Sequence, residues 1–485
     1  MLACGSQRVL SAPTEPGRRL NVNLLLLIPD GVGVRNLLLG SFLDLISRNG
    51  QTYVLHIIPD DWLAACYGEL NDSVKWDQLI PYKERPLSVT LRYSLAYAQM
   101  QWADTRSMRY NRNLPIKGSW RRKTVHRTAR LIGHAAASPR GIKVLDGWHC
   151  REVAKLREVD HYRRLFQQIR PAVLFCSHQR PPSILPPVLA ARSLNIPTAT
   201  FIFSWDNLTS KGRIAAPFDH FFVWSDHMRS ELLRYYPDVT MNRVHVVGTP
   251  QFDPYADESL LWSREEFFNR VGADLTRPLI CYSGGDTATC PEDPQHVKVL
   301  LELIRVGRIK SKPQVLLRPA PVDDGGRYEG IRKGYPELLY AKPAWVHTQN
   351  GDWSRVIPLS NDIQFLANLT HHADINVNMA STMTLDFATH DKPVVNIAFD
   401  VSNPPPFGVP LWDFFYRFEH YRPVIDLGAA RFARSPEELA QHVNAYIDDP
   451  SLDREGRRRL VELEVGVPLG QSSQRICDIL REIAR

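Results

Sequence analysis

From Asp374 to Asp400 the chain reads DINVNMASTMTLDFATHDKPVVNIAFD, and this stretch constrains the fold more than any other. A short apolar strand, Ile375–Val377, ends in the small and hydroxyl residues Asn378-Met379-Ala380-Ser381-Thr382. A helix follows, with Met383, Leu385 and Phe387 apolar and Asp386 on a more polar face. After Lys392-Pro393 an apolar strand resumes, Val394–Phe399. A helix that starts at Ser or Thr points free N–H groups and hydroxyls outward, which suits a phosphate or diphosphate. A carboxylate one turn further in, Asp386, suits ribose hydroxyls. The competing reading is an ordinary strand–helix unit in which Ser381 or Thr382 is a helix cap.

The same alternation runs through most of the chain. The first half predicts strands at Val22–Ile28, Tyr53–Ile58, Ala172–Cys176, Thr198–Phe203, His220–Trp224 and Val244–Val247. Its predicted helices include Leu37–Arg48, Val153–Gln168, Pro186–Leu194 and Asp226–Tyr235, with residues 60–150 mostly helical and irregular. The second half predicts strands at Leu279–Tyr282, Gln314–Leu317, Ala344–His347, Ile375–Val377 and Val394–Ile397. Strands alternating with helices imply α/β architecture with parallel, doubly wound sheets. At 485 residues the chain fits two domains of about 200 residues each. The division expected is a lead-in at 1–20, an N-terminal Rossmann-like domain at 21–255 and a linker at 256–277. A C-terminal Rossmann-like domain at 278–465 and a final helix at 466–485 follow. Ile476, Ile479, Leu480 and Ile483 give that helix one apolar stripe. The shape expected is two domains facing a cleft.

No apolar run approaches the roughly 18 residues that span a bilayer, and the N-terminus has no hydrophobic region suited to a secretory signal. The seven cysteines are odd in number and form no CxxC pair, which argues for reduced thiols over zinc or disulfides and points to a cytoplasmic protein. The net charge is +7, and from Thr105 to Leu145 there are eleven Lys or Arg and no Asp or Glu. The densest part, Lys117–Arg130 around Trp120, reads as a solvated helix face or as a surface for anionic lipid or an anionic glycan. No nucleic-acid-binding motif accompanies it, and no nucleic-acid partner is expected.

In open α/β sheets ligands sit beyond the carboxyl ends of strands. Asp30-Gly31-Val32-Gly33 follows the first strand and makes a tight turn near Arg35, with Asp30 and Arg35 candidates to face the cleft. The full dinucleotide fingerprint is absent. His178 follows strand AVLF and is a candidate general base, alongside Asp30; Arg180 in the same loop can bind phosphate. Ser204 to Gly212 holds Trp205, Asp206, Asn207 and Lys211, either lining the acceptor side of the cleft or closing on itself as a turn. Ser283 and Gly284 open the second domain and can cradle a phosphate. Arg318, in LLRPAP, can offset a diphosphate or form a structural ion pair. Asp323-Asp324 reads as a solvated turn, and no metal site is expected.

Taken in order, VHVVGTPQFD, the Ser/Gly loop, LLRPAP and ADINVNMASTMTLDFATHDKPVV resemble the C-terminal half of GT-B-fold nucleotide-sugar enzymes. These include UDP-N-acetylglucosamine 2-epimerase, lipid-A-disaccharide synthase and the CDP-glycerol glycerophosphotransferases. The resemblance implies that Ala380, Ser381 and Thr382 meet a diphosphate, Asp386 the ribose, and Arg318 the phosphates. It departs from the epimerase, whose His-Gly-Asp is here His178-Gln179-Arg180 and whose paired Glu residues are here a single Asp386. The expectation is a metal-independent glycosyltransferase with no cofactor. It would use a nucleotide-sugar donor, UDP-linked among the options, and a cell-surface glycan or lipid-linked acceptor at the inner membrane face. The alternatives are epimerase-like chemistry, glycerol phosphate transfer and a non-catalytic glycan-binding scaffold.

Overall fold

A computed structural model describes residues 23–48, 50–59, 73–347, 356–466 and 468–485. The expected lead-in at 1–20, and Cys4 and Cys66, lie outside the described residues. The first sheet comprises β1 (Leu24–Ile28), β2 (Thr52–His56), β3 (Val74–Gln78), β4 (Val173–Cys176), β5 (Thr198–Phe201), β6 (His220–Val223) and β7 (Val244–Val246). All neighbours pair in parallel, in the order β3-β2-β1-β4-β5-β6-β7. β1 and β4, LLLLI and VLFC, are buried along their whole length. Helices cover both faces of a parallel sheet, which is why its central strands are unbroken apolar runs.

The second sheet takes β8 (Leu279–Ser283), β9 (Gln314–Arg318), β10 (Leu339–Tyr340), β13 (Ile375–Asn378), β14 (Val394–Ile397) and β15 (Arg431–Ala433), in the order β10-β9-β8-β13-β14-β15. β11 (Trp345–His347) and β12 (Val356–Pro358) form a separate antiparallel pair. The strand expected at Ala344–His347 therefore does not join the second sheet. The short, half-buried β10 takes the edge beside β9 instead.

Three further expectations are corrected. Residues 60–150 include the edge strand β3, whose alternating burial leaves Lys75 and Asp77 exposed and hides it among polar residues. The helix expected at Leu37–Arg48 is broken into a wide-turn segment, Val34–Leu38, and a helix at Phe42–Ser47, separated at Gly40-Ser41. The helix expected at Val153–Gln168 is two: Pro139–Val153 ends, and Arg157–Ile169 begins after Leu156, whose extended backbone carries its side chain into the core.

Between β3 and β4 lies a helical insertion, with helices at Pro86–Ala103, Arg106–Asn113, Trp120–Ala135 and Pro139–Val153. It has its own small core of Leu91, Leu95, Ala98, Ile142 and Leu145. The chain crosses between the sheets at residues 247–278 and returns to the first domain through a final helix, Ser472–Ile483. Asp253 ties the two crossings together: its carboxylate accepts from the N–H groups of Ser472 and Ser473 at 3.0 and 2.8 Å. The final helix then packs on the first domain, where Arg481 donates to the carbonyl of Leu45 at 2.8 Å.

Candidate functional site

Each sheet has one point where the strand order reverses, β1/β4 in the first and β8/β13 in the second. Loops leave such a point in opposite directions and open a crevice at the carboxyl ends of the strands. The four loops concerned carry Asp30, His178, Ser283-Gly284 and Ala380-Ser381-Thr382, and all four line one cleft of about 2000 Å³ between the domains. Arg35, Trp205, Asp206, Asn207, Lys211, Arg318 and Asp386 line it too.

On the first-domain wall Asp30 and His178 meet directly, the Asp30 carboxylate bonding Nδ1 of His178. Asp30 also caps the turn after β1 by accepting from the N–H of Gly33 at 2.9 Å. Burial alone would raise the Asp30 carboxyl; His178 and the N–H groups of Gly33 and Val32 outweigh it and hold the carboxyl below its usual range. An ionised carboxylate can accept but not donate, so Nδ1 carries the proton, and in the neutral imidazole Nε2 carries the lone pair. Nε2 is buried without a hydrogen-bond partner among the described residues, and the imidazole lies against Phe203 with ring centroids 3.8 Å apart.

The glycines after β1 serve close approach between elements of the protein. A Cβ on Gly31 would lie 1.8 Å from the carbonyl oxygen of Val356 in β12, and one on Gly33 would lie 2.2 Å from Ser177 Oγ. The Ser204–Gly212 loop closes on itself. Asp206 accepts from Ser204 and Ser210 hydroxyls at 2.6 and 2.7 Å and lies 3.6 Å from Lys211 Nζ. Asn207 accepts from Gln179 at 2.8 Å, and Trp205 is buried against His420 and Tyr421 of the second domain.

On the second-domain wall Arg318 donates through Nη2 to both oxygens of Asp362 at 2.9 Å, while its buried Nη1 has no partner among the described residues. The structural ion pair and an outstretched nitrogen thus coexist in one side chain. Gly284 donates to the Arg318 carbonyl at 2.9 Å, fixing the two loops to each other. Ser381 is held by Asn378 Oδ1 at 3.0 Å and accepts from Met383 N–H at 3.2 Å. Ala380 has φ +46°, and the helix behind it, Met383–Ala388, is short. Asp386 is 2% exposed and accepts from the Tyr255 hydroxyl at 2.5 Å; burial pushes its carboxyl upward.

A buried amide chain anchors this wall. Asn376 donates to Ser283 Oγ at 2.7 Å, Asn378 to Asn376 at 2.6 Å, and Asn396 to Asn378 at 3.2 Å; the Tyr421 hydroxyl closes it on Asn396 at 2.7 Å. The sequence reading missed this network. Its signal was the polar alternation in INVN, where an apolar run was expected. The basic stretch reaches this cleft: Lys117, Arg122 and His126 line it, and the backbone N–H of Arg106 donates to Glu419 of the second domain at 2.7 Å. Among the described residues no three His, Cys, Asp or Glu side chains converge as metal ligands, and no helix is long and apolar enough to cross a membrane.

No protein-family model matches the chain, and no curated protein matches it. Solved structures do. The MnaA–UDP structure of S. aureus superposes with a TM-score of 0.51 at 9% identity, over 95% of this chain and 96% of that one. The UDP-GlcNAc 2-epimerase of Methanocaldococcus jannaschii gives 0.51 at 10% identity, over 96% and 100%. At such identity the likeness is one of fold. Two parallel Rossmann-like sheets facing a cleft, with a returning C-terminal helix, give this chain the GT-B fold of the nucleotide-sugar enzymes that its sequence resembles.

Proposed function

We propose that the chain is a glycosyltransferase that moves a sugar from a nucleotide-diphosphate donor to a cell-surface glycan or lipid-linked acceptor. The carrying observation is the Asp30–His178 pair, set across the cleft from Arg318 and the Ser381 loop. The donor lies on the second-domain wall, with its diphosphate toward Arg318 Nη1 and the loops at Ser283 and Ser381. UDP is one candidate, since the S. aureus structure of this fold was determined with it. The acceptor lies on the first-domain wall. His178 Nε2 takes the acceptor hydroxyl proton as that oxygen bonds the anomeric carbon, and the bond from that carbon to the β-phosphate oxygen breaks. The electron pair leaves on the diphosphate, which Arg318 and loop N–H groups stabilise. Asp30 positions the imidazole and offsets its charge. The reaction needs no resident metal or cofactor.

We place this reaction in the cytoplasm, at the inner face of an anionic membrane touched by the helix Trp120–Ala135. On that helix Trp120 is 71% and Leu131 75% exposed among basic side chains. Burial of exposed tryptophan at the interface combined with cationic attraction is how such helices bind.

The decisive test is a melting-temperature screen of nucleoside diphosphates and nucleotide sugars, followed by turnover of the stabilising donor with and without glycan acceptors. A ligand bound to the folded state alone must raise the melting temperature. Stabilisation with acceptor-dependent turnover, lost in His178→Gln, is the expected result. Turnover of the donor without acceptor would favour the epimerase or hydrolase reading. No stabilisation by any nucleotide would leave a glycan-binding scaffold.

A further inference from the structure

The charges on the first-domain wall do not balance locally. Its carboxylates are already engaged. Asp30 is held by His178, Asp206 by its own loop and Lys211, and Glu84 takes Arg92 through two bonds of 2.7 and 2.8 Å. Three cations on the same wall have no such engagement. Arg180, two residues beyond His178, lines the cleft, and its side chain makes no hydrogen bond or ion pair among the described residues; Arg122 and Lys117 at the insertion end of the wall are alike in this. Arg180 is thus an exposed guanidinium at the cleft, beside the group placed here as base, with no hydrogen-bond or ion-pair partner among the described residues and with Asp206 and Asp30 acting on it only through space. His126 Nε2, also on this wall, is buried without a partner among the described residues.

A planar guanidinium with five donors and no acceptor to meet is complementary to phosphate oxygens. Unpaired cations in a walled cleft also concentrate anions from solution, because the low-dielectric walls focus their field. The donor diphosphate is placed on the opposite wall, at Arg318 Nη1 and the loop N–H groups, so Arg180 on the first-domain wall is left to meet another anion.

We propose that the acceptor is anionic, and that a phosphate or diphosphate group near its reacting hydroxyl seats on Arg180, with Arg122 and Lys117 guiding its entry. This rests on the transferase reading above and names the acceptor chemistry that reading leaves open. Such a group occurs in lipid-linked diphosphates and in water-soluble phosphoglycans alike.

The test is calorimetric titration of the full chain with inorganic pyrophosphate while UDP, or whichever nucleoside diphosphate stabilises the protein, is held saturating. The expected result is a pyrophosphate site that coexists with the nucleotide and weakens on the order of tenfold or more in Arg180→Ala, with nucleotide affinity unchanged. Arg122→Ala weakens it less, and Arg180→Lys restores part of it. A short-chain prenyl diphosphate binding more tightly than pyrophosphate assigns the seat to a lipid-linked acceptor; equal affinity of a simple sugar phosphate assigns it to a phosphoglycan. No pyrophosphate binding beside the nucleotide overturns the proposal. So does an equal loss of nucleotide affinity in Arg180→Ala, which would move Arg180 to the donor. Failure of every nucleotide to bind defeats the donor reading alone, since Arg180-dependent pyrophosphate binding can be measured without it.

Discussion

The hydroxyl of Tyr255, in the first crossing between the domains, donates a 2.5 Å hydrogen bond to Asp386 of the second domain, and both side chains are buried. Burial raises the Asp386 carboxyl, and the Tyr255 hydrogen bond, ahead of Arg35 and Gln251, offsets part of that cost. Tyr255→Phe removes the donor and leaves a carboxyl oxygen unsatisfied. It should lower stability by about 1–3 kcal/mol in urea denaturation. A neutral result would mean that Asp386 finds its partner elsewhere, in keeping with a carboxylate turned to a ribose.

Because Asp30 fixes the tautomer of His178, the two should fail in a related way. His178→Gln should remove the base and Asp30→Asn its orientation, each lowering kcat by about 10²–10⁴-fold. The melting-temperature shift with nucleotide should be unchanged in both. Loss of nucleotide binding in step with activity would assign the pair to the donor. Asp30 also has a folded-state value below its ordinary 3.8. Its stabilisation is therefore present above pH 3.8 and lost as pH falls through the lower folded value. Asp30→Asn should abolish that share of the acid sensitivity.

Glu231 and Glu464 face each other where the helix Asp226–Tyr235 meets the second crossing, each 3.6 Å from His227 Nε2. Burial, then Glu419 and Asp206, pushes Glu231 up to about 8, and burial beside Glu231 raises Glu464 as well. Between the ordinary 4.5 and about 8 the folded state holds a proton that the unfolded state has lost. Stability therefore falls as pH rises through that window. Comparing urea midpoints at about pH 5 and about pH 8 should show a decline on the order of a few kcal/mol. Glu231→Gln should flatten it in part, with Glu464 carrying the rest. An unchanged slope in Glu231→Gln would show that Glu231 ionises freely.

Gly31 and Gly33 look equivalent in sequence but differ in what an added methyl would meet. At Gly31 the obstacle is backbone of the opposite domain, 1.8 Å away; at Gly33 the nearest atom, at 2.2 Å, is the Ser177 hydroxyl. Backbone cannot rotate aside. Gly31→Ala should cost about 1–3 kcal/mol and weaken nucleotide stabilisation by displacing the domains. Gly33→Ala should cost less, and Ser177→Ala should relieve part of it. Equal costs at the two positions would contradict this account.

If the helix Trp120–Ala135 touches an anionic membrane, the protein should sediment with phosphatidylserine vesicles and not with phosphatidylcholine vesicles. Added salt should release it within the range where the Debye length shrinks below about 10 Å. Trp120→Ala with Arg121→Glu should reduce sedimentation severalfold at unchanged melting temperature. Equal sedimentation with both lipids would leave the basic face merely solvated.

The apolar runs of β1, β4, β8 and β14 made both sheets legible in the sequence, because strands buried on two faces are mostly apolar. Edge strands were harder. β3 and β15 are half exposed, so their composition is that of loops. The site loops were legible for the same reason as the sheets, since each follows a recognisable strand. Their roles were not. Whether Asp206 faces a ligand or its own turn depends on Ser204 and Ser210 hydroxyl rotamers. The pairings of Asp30 with His178, and of Tyr255 with Asp386, join residues 148 and 131 positions apart; the first arises from the adjacency of β1 and β4, the second from the path of the crossing between the domains. That the basic stretch borders the cleft depends on how the insertion folds back, which no periodicity records.

The return of the final helix to the first domain has a consequence for biosynthesis. Ile476, Cys477 and Leu480 are buried within 1% exposure, and Arg481 holds the Leu45 carbonyl. The surface of the first domain at the helix Phe42–Ser47 is thus covered by residues translated after the entire second domain. A ribosome releases domains in order, N-terminal first, yet here the domain that emerges first is the one sealed last. Until residue 472 is made, that apolar surface is without its cover, and the nascent chain must keep it from other chains while the second half folds.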